Sequence, residues 1–86
     1  MAQAVAEKGE VVEAFQATIN MIVENKDVGR KKALLSTMEP NLLGAASEPS
    51  RIKQRLDLIQ EWLSEGNVDK VNENLLRLRD DLPELL

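Results

Sequence analysis

Val68-Asp69-Lys70-Val71-Asn72-Glu73-Asn74-Leu75-Leu76-Arg77-Leu78-Arg79-Asp80-Asp81-Leu82 decides the fold class. Val68, Val71, Leu75, Leu78 and Leu82 recur at alternating spacings of three and four, which lines them along one face of an α-helix. Glu73 and Arg77 stand one turn apart on its flank, a pairing that contributes about 0.2–0.5 kcal/mol. Just upstream, Ser64-Glu65-Gly66-Asn67 reads as the end of one helix and the start of another. Gly66 suits a left-handed C-terminal position, and the Asn67 side chain can take a free backbone N–H of the first turn. Downstream, Pro83 is expected to end the helix, because proline has no N–H for the ladder.

Outward from this segment the same period returns. Ile52, Leu56, Ile59 and Leu63 form the stripe of a third helix, with Trp62 beside it, Pro49 in its first turn and a serine among 47–50 as cap. Leu34, Leu35 and Met38 face inward from a second helix. It begins after the Asn25-Lys26-Asp27 turn, with Asp27 as N-cap, and should stop near Glu39 ahead of Pro40. Val12, Phe15, Ile19 and Ile22 define the first helix, broadened by Val11, Ala14 and Val23. Residues 2–8 could continue that helix upstream, against the cost of Gly9 of about 1 kcal/mol relative to Ala.

A faint internal echo runs through this parse. Ile19, Val28 and the Leu34-Leu35 pair resemble Ile59, Val68 and the Leu75-Leu76 pair, roughly 40 residues apart. Each half reads helix, short polar turn, helix. The expected fold is all-α: a small antiparallel bundle of four helices, or three if the second is too short to count, built from two hairpins. The whole of residues 1–86 makes one domain, with 1–9 fraying and 39–50 as the inter-hairpin loop, where Leu42 and Leu43 pack on the core.

Composition agrees. The apolar content is 43%, mostly aliphatic, and Phe15 and Trp62 are the only aromatics. Leu, Ala, Glu, Lys and Arg favour helix, whereas strands favour β-branched and aromatic residues. Without cysteine there is no disulfide to staple a small extracellular domain, which points to an intracellular setting, cytoplasmic or nuclear. No stretch approaches the ~20 apolar residues of a membrane span. A net charge of −4 argues against a general nucleic-acid binder, which neutralises phosphates with clustered cations.

The chain also lacks His, Cys and Tyr, the usual acids, bases, nucleophiles and soft metal ligands. No P-loop or calcium-loop pattern is present. No serine follows an aspartate, as an acyl carrier would require, and there is no histidine for phosphotransfer. Ser36, Ser47, Ser50 and Ser64 fall at loops or helix ends, where serine caps. No catalytic residue, cofactor or metal ligand is expected.

Two features could carry binding. Arg30-Lys31-Lys32 opens the second helix, where cations oppose the helix dipole. It reads either as an edge for an acidic or phosphate-bearing partner, or as a solvated face pairing with glutamates of the first helix. At the other end, Leu82-Pro83-Glu84-Leu85-Leu86 matches a short helix-docking pattern, with Leu82, Leu85 and Leu86 as contacts, and Asp81 extends it to an acidic dileucine signal. The plainer reading has those leucines closing the core. Phe15 and Trp62 read as core anchors.

The sequence thus leads to a non-catalytic protein–protein interaction module, an adaptor, scaffold or regulatory domain that recognises another protein through helix faces. The broad first stripe leaves room for a homodimer. Two alternatives stand beside it. One is a nucleic-acid-linked regulator using Arg30 to Lys32 with Arg51, Lys53 and Arg55. The other is a small acidic inhibitor or immunity-type protein masking a basic target.

Overall fold

The computed structural model describes residues 8–86. Four helices follow one another: α1 (Lys8–Glu24), α2 (Val28–Ala45), α3 (Pro49–Ser64) and α4 (Val68–Leu85). Each packs on the next, and α4 returns to α1, so the bundle closes as an up-and-down ring. The predicted stripes build the core. Val12, Ile19 and Ile22 meet Leu35, Met38 and Leu42, then Ile52, Leu56, Ile59 and Leu63, then Val71, Leu75, Leu78, Leu82 and Leu85. No helix is long and apolar enough to cross a membrane among the described residues.

The turns follow the local chemistry. Asp27 Oδ1 accepts the Arg30 N–H at 3.2 Å, and Asn67 Oδ1 accepts the Lys70 N–H at 3.2 Å, satisfying first-turn donors of α2 and α4. Gly66 takes a φ of 77°, which costs any other residue a clash at Cβ. Glu73 and Arg77 pair at 3.3 Å as their spacing predicts.

Several expectations need correction. α2 does not stop at Glu39; it runs through Pro40 to Ala45, so the inter-hairpin connection shrinks from 39–50 to the residues between Ala45 and Pro49. An internal proline costs ~3 kcal/mol. Continuing the helix buries Leu42 completely and half-buries Leu43 on the same stripe, which offsets that cost, while Pro40 itself faces solvent. α4 likewise continues through Pro83 to Leu85. A missing N–H at residue 83 leaves the Arg79 carbonyl without its helical donor, and the Gln16 side-chain amide on α1 donates to it at 3.0 Å. Arg79 then donates from its guanidinium to Asn20 Oδ1 at 2.9 Å, so two residues one turn apart on α1 hold it at both ends.

No serine caps α3. Glu48 holds the cap position without a side-chain bond, and Pro49 supplies the preset first turn. Ser47 instead donates its N–H to the Leu85 carbonyl at 3.3 Å and its O–H to the Leu86 carbonyl at 3.2 Å, tying the connection to the end of α4. Lys8 and Gly9 are helical; the suggested upstream extension lies outside the described residues.

The two hairpins share one frame. α2 and α4 have 18 residues each, starting at Val28 and Val68 and ending at Ala45 and Leu85. α1 and α3 end at Glu24 and Ser64, the same distance apart in the chain. The caps Asp27 and Asn67 keep this offset too. Position by position, the second hairpin therefore shows what the first could have carried.

Candidate functional site

The seam between α1 and α2 is open at the surface. There Phe15, Thr18, Leu34, Thr37, Met38 and Asn41 line an open groove of about 190 Å³. None of these residues is charged. Phe15 and Leu34 are only half-buried at its floor, packed on the core below. The two threonines make the groove less polar than their hydroxyls suggest. Thr18 donates to the Ala14 carbonyl and Thr37 to the Ala33 carbonyl, each at 3.0 Å within its own helix. With both hydroxyls bonded back to the turn before, a visiting side chain meets no unsatisfied donor there. Met21, 61% exposed, lies one turn beyond Thr18 on α1.

The equivalent seam between α3 and α4 is built from different chemistry. The position of Phe15 is taken by Arg55 and that of Asn41 by Asp81, and these two bridge the helices at 2.8 Å. The positions of Leu34 and Thr37 are held by Asn74 and Arg77, the latter paired with Glu73. Thr18 is matched by Leu58, which is 51% exposed, and Lys70 lies 5.6 Å above the half-buried Trp62 ring nearby.

The basic run does not form one edge, because successive helical residues point about 100° apart. Lys31 is 1% exposed. Its ammonium donates to the carbonyls of Ile22 at 2.9 Å and Val23 at 3.0 Å, and to Asn72 Oδ1 at 2.9 Å. All three N–H donors are used. Two of the acceptors are carbonyls in the last turn of α1, where the helix dipole favours a cation, and the Ile22 carbonyl also takes the Asn25 N–H at 3.2 Å. Burial penalises the charged form and holds the Lys31 pKa below its usual value. Lys31 is thus turned to the interior and is not available on the surface that Arg30 and Lys32 were expected to share with it. Arg30 and Lys32 are exposed. Arg30 precedes Leu34 and Thr37 by one and two turns, so it continues the groove wall, whereas Lys32 lies two residues from Leu34 and projects to the opposite flank. Arg51, Lys53 and Arg55, the cations grouped with this run, are each bound to a carboxylate: Glu48, Glu39 with Asp57, and Asp81.

At the C-terminus, Leu82 and Leu85 are buried in the core and Leu86 is half-buried against it. The docking pattern is occupied by the protein's own interior, and Asp81 by Arg55. Trp62 and Phe15 are half-buried at the two outer seams rather than enclosed.

No family model, curated protein or solved structure matches this chain. The site therefore rests on its own geometry. Sequence reasoning passed over Thr18, Leu34, Thr37 and Asn41 as a group. Aligning the two hairpins through their caps, Asp27 on Asn67, would have exposed the exchange of Phe15 for Arg55 and Thr37 for Arg77.

Proposed function

We propose that this chain is a non-catalytic protein–protein interaction module that receives a partner helix in the α1–α2 groove, as an adaptor, scaffold or regulatory domain. One observation carries the reading: within a repeated frame, the α3–α4 seam is closed by Arg55 and Asp81, while the α1–α2 seam keeps an uncharged floor of Phe15, Leu34 and Met38. A groove between two helices accepts the apolar face of a third, with anchors at i, i+3, i+4 and i+7. A half-buried aromatic at its centre is the kind of residue that dominates binding energy. The cysteine-free composition suits an intracellular setting.

Affinity capture from the native source tests this with three baits: the unaltered chain, Thr37→Arg in the groove, and Arg77→Thr at the matching position of the other seam. The expected outcome is a partner retained by the unaltered chain and Arg77→Thr and lost by Thr37→Arg. Retention of every partner by Thr37→Arg would overturn the proposal.

A further inference from the structure

Resting on that reading, we infer the chemistry and direction of the occupant: an amphipathic helix with carboxylates in its last turn, lying with that C-terminal end against Arg30. The residues lining the groove are neutral, so its ends set the polarity. Where α1 ends and α2 begins, Arg30 continues the α2 wall and is exposed, and it takes part in no ion pair among the described residues. Asp27, the carboxylate closest in sequence, is committed to the Arg30 backbone N–H as the cap of α2. The exposed Lys26 adds a second cation at the same turn, also outside any ion pair among the described residues. At the far end the start of α1 exposes Lys8 and Glu10, which offset each other, and Glu13 faces the α1–α4 side, so Arg30 and Lys26 set the polarity.

A partner helix carries partial negative charge at its C-terminus and partial positive charge at its N-terminus. Both the dipole and acidic side chains in the last turn are therefore favoured beside Arg30 and Lys26. Such a helix runs parallel to α1 and antiparallel to α2. Its apolar residues meet Phe15, Leu34 and Met38.

Two designed peptides of one composition test the inference, each an 18-residue Ala/Leu amphipathic helix with a Glu pair at either the C-terminal or the N-terminal end. Binding is read by chemical-shift changes in the labelled protein. A spin label at the peptide C-terminus reports direction by broadening nearby signals. The C-terminal-Glu peptide should bind about three- to tenfold more tightly than its partner, the range of an exposed ion pair plus a helix-end charge. The spin label should broaden residues 26–30 and spare those near Val12. Arg30→Glu should abolish the preference, and a peptide with Lys in place of Glu should regain it on that variant.

Equal binding of both peptides with shifts confined to the groove overturns the inference while leaving the groove reading intact. Binding that survives Thr37→Arg overturns both. Concentration-dependent self-association that occupies the groove and excludes the peptides identifies a second copy as occupant and also overturns the inference.

Discussion

The two hairpins of this bundle have matched helix ends and matched caps, yet they treat the same positions in opposite ways. Hairpin two finishes its outer seam with its own charges, Arg55 on Asp81, and fills its inner positions with aliphatics, Val71 included. Hairpin one puts a charge inside, Lys31 at the position of Val71, and leaves its outer seam apolar. A shared frame does not dictate polarity: the second hairpin is closed on itself, and the first is braced from within and open without.

Lys31→Val makes hairpin one resemble hairpin two and should have the largest effect. It removes the ammonium from the Val23 carbonyl and from Asn72 at once, and leaves the Ile22 carbonyl with the Asn25 N–H alone. Stability to urea should fall by about 2 kcal/mol, since an unsatisfied buried acceptor costs ~1–3 kcal/mol and removing a desolvated charge returns part of it. An unchanged midpoint would mean that the ammonium holds nothing together.

Gln16→Leu copies Leu56 of the second hairpin and should cost about 1 kcal/mol, the worth of one hydrogen bond. The Arg79 carbonyl has no helical donor, because residue 83 is proline. Pro83→Ala restores that donor, so Gln16→Leu should cost less in its presence. A double-mutant cycle showing simple additivity would contradict the link.

A smaller effect is expected from pH. Burial holds the folded-state pKa of Lys31 below the unfolded value of 10.5. Between those two values the unfolded chain binds more protons, so this group's contribution to stability rises with pH. The advantage of the unaltered chain over Lys31→Val should therefore grow on passing from neutral pH toward 10.5, measured by paired urea titrations. A shrinking advantage would place the folded-state pKa above 10.5. Lys53 works in the other direction: hydrogen bonds to Asp57 and Glu39 raise its pKa, and its contribution is lost as pH climbs past 10.5 toward the raised value.

Thr37→Arg, which copies Arg77, should move stability least, within about 0.5 kcal/mol, because the site is exposed. A thermal or urea midpoint shifted well beyond that would show the groove wall to be structural.

Much of this was legible before any coordinates. The four apolar stripes, the Asp27 and Asn67 caps and the left-handed Gly66 all follow from rules that act within a few residues. What escaped depends on residues distant in sequence. Pro40 and Pro83 read as stops, since a local rule counts only the lost N–H and the steric conflict. Helix α4 continues because Gln16, on another helix, supplies the missing donor to Arg79. Arg30-Lys31-Lys32 read as one edge because a linear run hides the 100° turn between neighbours, and nothing near it announces that Asn72 and the end of α1 await an ammonium. The groove was hardest to see, because its defining property is a contrast between Phe15 and Arg55 that appears only when the hairpins are overlaid.

The open seam, and not its closed counterpart, is proposed to meet a partner. The chain has no cysteine, so single thiols can be placed at will. Photo-crosslinking in native extract from Thr18→Cys and, separately, from the matching Leu58→Cys tests the contrast most directly. A discrete adduct is expected from position 18 alone, competed by excess unlabelled chain and not by Thr37→Arg. Adducts from position 58 alone, or the same adduct from both, would contradict it.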